Sequence, residues 1–223
     1  MAYKRVTTPT ELPTGENLTG AMVGIGLNFA ARPAENPNIE DTLIAASREA
    51  MDGDDLRVLS ILISWLDIHH PRINADRLYR AVFHESSDRV RAFWTAVSQW
   101  LNGDRRFLRF MKLHTGSRID LLRAGSDFHI RRRGEDPRFS GTCLRIPAGV
   151  LRDRRGDVLS EAELARRHTT YRERVRSGPS YRADMWVMIA RDPDLSASEL
   201  ARGTYGSFAT AWQVKRDHGL LTG

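Results

Sequence analysis

LSASELARGTYGSFATAWQVKRDHGLL, residues 195–221, carries more structural punctuation than any other part of the chain. Ser196 and Glu199 stand three apart, the spacing at which a serine caps a helix start and a glutamate returns the bond. Leu200 and Ala201 supply an apolar shoulder, Gly206 permits a tight turn, and Ser207 can cap a second helix. Just upstream, Tyr181, Met185, Val187, Met188 and Ile189 mark a short buried helix closed by Asp192-Pro193. The spacing predicts three short helices with a turn between the last two.

These 27 residues resemble the helix-turn-helix of bacterial transcription regulators. Ala201 matches the small residue that lets the family's two helices cross closely, Ser207 the cap of its recognition helix, and Ala211 and Val214 its inward apolar positions. Tyr205 stands where that family often has glycine, which comes one residue later as Gly206. The resemblance implies that Ser207, Phe208, Ala209, Thr210 and Gln213 face base edges or phosphates of double-stranded DNA. It implies phosphate contacts for Tyr205, Lys215 and Arg216. A competing reading of the same residues is two packed helices, with Phe208 and Trp212 buried against residues 54–101. More loosely, the whole resembles two-part bacterial regulators and the antitoxin partners of abortive-infection systems that repress their own operon.

Outward from this segment the charge changes. The chain of 223 residues has a net charge of +6, and all but three of its basic residues are arginines. Residues 1–103 hold 10 basic and 13 acidic groups, residues 104–176 hold 19 and 10, and residues 177–223 hold 5 and 5. The field therefore comes from the middle, where Arg131, Arg132, Arg133, Arg154 and Arg155 are expected to anchor phosphates, because guanidinium pairs bidentately with phosphate and stays charged. A solvated face with internal ion pairs is the competing reading.

Four regions follow from the pattern. Residues 1–38, with four prolines, read as an irregular arm draped over the body. Residues 39–103 read as a helical domain. Its helices are a short one from Ile39, a buried one over Asp54–His70, one from Asn74 to Phe83, and one over Asp88–Leu101 capped by Ser86 or Ser87. The turn at His84–Ser86 makes a first helix-turn-helix of the winged sort conceivable, although Phe93, Trp94 and Trp100 give its last helix a core face. Residues 104–158 read as a basic region in which Phe107–Leu113 is helix or strand, and Asp127–Arg132 and Thr142–Ile146 alternate as in a β-hairpin or wing. Residues 159–223 read as helical, opening on a capping box at Ser160 and Glu163 with one long helix to Arg176. The fold class expected is mainly α with a small β element, built of helix-turn-helix or winged-helix-like units.

Other chemistries find little support. Gly24-Ile25-Gly26 lacks the third glycine of a dinucleotide loop, and there is no phosphate-binding P-loop, so no cofactor is expected. His69-His70 has no second pair at metal-ligand spacing and reads as a helix-end or surface feature. Cys143 reads as packed, with a minor alternative in which neighbouring arginines lower its pKa for redox or nucleophilic work. No apolar run reaches a membrane span and no signal peptide is evident, so the expectation is a non-enzymatic cytoplasmic protein whose partner is DNA or, alternatively, another protein.

Overall fold

Side chains that accept hydrogen bonds fix most helix starts in the computed structural model, which describes residues 6–9 and 11–222. Asn38, Asp55, Asn74 and Ser87 cap α2 (Ile39–Asp52), α3 (Leu56–His69), α4 (Ala75–Phe83) and α5 (Asp88–Trp100), each accepting from main-chain N–H groups of the first turn. Ser160, His168, Ser180 and Ser196 do the same for α7 (Glu161–Arg167), α8 (Thr169–Ser177), α9 (Tyr181–Arg191) and α10 (Ala197–Thr204). Both serine–glutamate pairs form complete capping boxes. The remaining helices are α1 (Gly15–Gly24), α6 (Ser126–Arg133) and α11 (Phe208–Thr222). No helix among the described residues is long and apolar enough to cross a membrane.

α2 lies at the centre of the body, in contact with α1, α3, α4 and α5. α3 is buried over all but Arg57, Asp67 and its ends, and Ile61, Leu62, Ile63, Trp65 and Leu66 are fully buried, each such side chain contributing about 1.5–3 kcal/mol of burial. The indole N–H groups that this burial removes from water are satisfied: Trp65 donates to the carbonyl of Ile25 at 2.7 Å, and Trp94 to Ser47 Oγ at 3.1 Å.

The architecture is mainly α with one small sheet, and its details differ from the pattern reading in several places. The β element is a parallel pair, β1 (Ile119–Asp120) with β2 (Leu144–Arg145), in the register Ile119 with Leu144. It is neither a hairpin nor a wing, because the segment between its strands contains α6. Asp127–Arg132, read as alternating strand, is part of that helix: only Ser126 of α6 is buried, so the alternation marks no buried face. Residues 105–112 form a 3-10 helix with Phe107 and Phe110 inward. The long helix expected to Arg176 breaks at His168, whose extended backbone ends α7 and starts α8. The arm contains α1, whose Leu18 and Met22 join the core.

The apolar core does not follow the four regions. One cluster runs from Leu18 to Tyr171 and takes in the arm, the helical region and the basic region alike. A second, smaller cluster unites α9, α10 and α11. A first helix-turn-helix over α4 and α5 has no base-reading face, since Val90, Ala92, Phe93, Trp94, Ala96 and Val97 of α5 are fully buried.

Candidate nucleic-acid interface

α9, α10 and α11 contact one another pairwise around Met185, Ile189, Leu200, Ala201, Ala211 and Val214, all fully buried. Small residues allow the approach. Ala201 lies at the crossing, a Cβ on Gly203 would fall 2.5 Å from the Met188 methyl, and one on Gly206 would fall 2.3 Å from that of Met185. The turn is Tyr205–Ser207, and Tyr205 itself takes the left-handed conformation at φ 59°. The two residue types have thus exchanged usual duties: the tyrosine supplies the turn's positive φ, and the glycine supplies room. Ser207 caps α11, its Oγ accepting the N–H of Thr210 at 3.1 Å.

On α11 the inward positions Ala211 and Val214 leave Phe208, Ala209, Trp212, Gln213 and Arg216 on the outside. Phe208 is 41% and Trp212 52% exposed, so the reading that buries them against residues 54–101 is corrected. The Gln213 amide is exposed, with no hydrogen bond among the described residues. Thr210 is half-buried, and its hydroxyl lies 2.8 Å from that of Ser207, so these two satisfy each other. Arg216 pairs with Asp217 at 2.9 Å.

Two of the expected phosphate contacts are turned inward. Lys215 Nζ donates to the carbonyl of Leu195, tying α11 to the loop before α10. Tyr205 lies beneath the Arg77 guanidinium, 4.0 Å from ring centroid to Cζ, and burial with the neighbouring Asp41 carboxylate pushes its phenol pKa up. Its aromatic face is spent on the body of the protein. Arg202 on α10, which pattern reading passes over, is exposed and without an ion pair among the described residues.

A buried ionic cluster seats the three helices on the body. Arg174 of α8, fully buried, donates to Glu40 at 2.6 and 3.0 Å and to Asp184 of α9 through two bonds of 2.8 Å. Burial alone would push the Glu40 carboxyl up, but Arg174 and Arg77 hold it below the usual carboxylate range. Burial likewise works against the Arg174 charge, while Asp184 and Glu40 outweigh it and raise its pKa. Beside this cluster Arg77 binds both oxygens of Asp41 at 3.0 and 2.9 Å, and Tyr181 donates to Asp76 at 3.0 Å.

The middle arginines divide into two groups. Arg131, Arg132 and Arg133 are exposed on α6 and form no ion pair among the described residues. Arg154 and Arg155 are instead engaged at home, with Asp157 at 3.2 Å and with Asp67, and their main chain runs along α3. Arg154 is partly buried, while the Arg155 side chain is 63% exposed beside its carboxylates. α6 and α9 are anchored toward opposite ends of α2. The segment before α6 is held by Arg123 to Asp52 and Asp54 at the C-terminal end of α2, whereas Glu40 under α9 is at the N-terminal end. These two ends of α2, a helix of 14 residues, are about 21 Å apart.

The remaining candidates are structural. His69 is fully buried, not on the surface: Nδ1 lies 2.7 Å from the Tyr171 hydroxyl and Nε2 2.9 Å from the Leu159 carbonyl. No group of three potential metal ligands occurs among the described residues. Burial pushes the Cys143 thiol up to about 11, the reverse of an activated cysteine, and its Sγ donates to the Ala92 carbonyl. Compared with protein families, curated proteins and solved structures, the chain matches none, so its geometry alone carries the functional reading.

Proposed function

We propose that this protein binds double-stranded DNA through α9–α11 and acts as a transcriptional regulator, with α11 entering the major groove. The observation that supports this is the outward strip of α11: the free amide of Gln213 lies beside Ala209, Trp212 and Phe208, on the side opposite the buried Ala211 and Val214. An exposed glutamine can bond adenine through two hydrogen bonds, and the apolar side chains can meet thymine methyl groups. The exposed Arg202 and Arg216 are assigned phosphate contacts, and the exposed α6 arginines a further one.

Fluorescence anisotropy of random duplex DNA and of the upstream region of its own gene, over a range of salt, tests the reading. Wild-type binding weakens steeply with salt. Gln213→Ala removes the preference for one sequence, while Arg131→Ala/Arg132→Ala/Arg133→Ala lowers the salt slope by about 0.9 for each phosphate those guanidiniums neutralise. Absence of binding at about 50 mM salt overturns the proposal, since counterion release is strong there.

The apolar part of the same strip favours a second reading, an adaptor or antitoxin that docks another protein. Trp212 together with Leu220 and Leu221, each 78% exposed, offers the aromatic and aliphatic anchors that protein interfaces use. In that case Trp212→Ala abolishes association with the partner, and salt has little effect on it.

A further inference from the structure

A cleft of about 1110 Å³ opens between residues 32–36 of the arm, α8 and α9. Five arginines line it against two glutamates, leaving an excess of three positive charges. Arg176 and Arg191 pair with those glutamates, Glu173 at 3.7 Å and Glu35 at 3.2 Å. Arg32, Arg167 and Arg172 are exposed and have neither an ion pair nor a side-chain hydrogen bond among the described residues. Elsewhere most arginines of this chain find a carboxylate, for example Arg48, Arg77, Arg118 and Arg145. Three guanidiniums without an ion pair around one concave surface are an arrangement that an anion stabilises.

The cleft is a built one. Its arm wall turns at Asn36, which takes a left-handed φ of 47° and is held on both amide atoms: Oδ1 accepts from Thr169 Oγ1 at 2.8 Å and from the Thr170 N–H at 3.1 Å, and Nδ2 donates to Thr170 Oγ1 at 3.0 Å. Below it the Ala34 N–H donates to the Gly20 carbonyl at 2.8 Å. Gly24 is the close approach, since a Cβ there would lie 2.7 Å from the Ala34 carbonyl oxygen. The apolar part of the lining is the half-buried Val23, Leu159 and Val187, with the exposed Ala190 and the half-buried indole of Trp186 beside them. Guanidiniums beside an apolar lining with an aromatic ring suit a ligand that carries phosphates on one end and a flat ring on the other.

We propose that this cleft binds a small phosphorylated ligand of the nucleotide class, with its phosphates on Arg32, Arg167 and Arg172 and its ring against Trp186 and Ala190. The volume is at the upper end of small-ligand sites, and none of residues 207–216 lines it, which sets it apart from the strip of α11 assigned to DNA. α9 turns one side to the cleft and packs Met185 and Ile189 into the three-helix core with the other, so an occupant bears directly on the helix that seats α10 and α11. The inference stands independently of the DNA reading.

Titration calorimetry with ATP as the probe, beside adenosine, tripolyphosphate and duplex DNA, tests it. ATP is expected to bind one per chain and to quench Trp186. Arg167→Ala/Arg172→Ala weakens ATP and tripolyphosphate about tenfold or more, because each loses charge-assisted bonds. Ala190→Trp, which crowds the apolar lining and keeps the arginines, weakens ATP and leaves tripolyphosphate unchanged. Arg131→Ala/Arg132→Ala/Arg133→Ala changes neither. Absence of saturable ATP binding overturns the proposal, as does equal loss in the α6 variant. Tripolyphosphate binding as tightly as ATP removes the ring subsite. Displacement of ATP by duplex DNA, with the double variant losing both equally, makes the cleft part of a DNA track instead.

Discussion

Tyr205 shows how one residue ties turn geometry to tertiary contact. A left-handed conformation costs a non-glycine residue about 1–2 kcal/mol, and here the Arg77 guanidinium over the ring offsets it. Replacing it separates the two effects. Tyr205→Ala keeps the strain and loses the stacking, so it is expected to destabilise by about 1–2 kcal/mol. Tyr205→Gly loses the same stacking but relieves the backbone, and should be more stable than the alanine variant by about 1 kcal/mol. Urea unfolding followed by circular dichroism reads the order; alanine at or above glycine contradicts the account of the turn. The exchange of roles between Tyr205 and Gly206 was half legible in the sequence. The shifted glycine is visible in the order of letters, whereas the side chains that hold the tyrosine, Arg77 and Asp41, lie more than a hundred residues away.

Among the elements, α8 depends on a histidine for its start. His168 Nδ1 accepts the Tyr171 N–H at 3.1 Å while Nε2 donates to the Pro37 carbonyl at 2.9 Å, which fixes the neutral tautomer. Burial pulls the pKa of His168, and that of His69, down to about 4. Unfolded histidine titrates near 6.5, so the unfolded chain takes up more protons between pH 6.5 and 4. The stability these residues contribute is complete above pH 6.5 and is lost as the pH falls through that window. Between pH 7 and 5 the expected loss is about 2 kcal/mol for each histidine. Urea midpoints at the two pH values measure it, and a His69→Gln/His168→Gln variant should show a much smaller drop. An equal drop in both proteins assigns the acid sensitivity to other groups.

For the whole molecule the decisive contact is Arg174 with Glu40 and Asp184, where the larger core and the three-helix core meet. Arg174→Met leaves the buried Asp184 carboxylate without a partner and Glu40 with only Arg77 at 3.8 Å and the Asn74 N–H, and is expected to cost about 3–5 kcal/mol. Hydrogen exchange should then rise over residues 181–214 while Ile61–Leu66 stay protected, since the smaller core has little apolar packing of its own. Uniform loss of protection instead makes the two cores one cooperative unit. The same scale decides the electrostatics. The middle of the chain carries the positive excess in sequence, yet folding spends Arg154, Arg155 and Arg174 on carboxylates and sends the free arginines of α6 and of the arm cleft to different places.

The sequence by itself determined the helical class, the capped starts at Asn74, Ser160 and Ser196, and the buried character of α3. All of these rest on bonds or periodicities within a few residues, where neighbours in sequence are neighbours in space. Only the tertiary structure decided that residues 119–120 and 144–145 pair in parallel, that Phe208 and Trp212 stay exposed, and that Arg32, Arg167 and Arg172 gather in one cleft while Arg154 does not join them. The physical reason is that a charge or an aromatic ring is free or engaged according to which distant segment folds over it, and that is set by the packing of the whole chain.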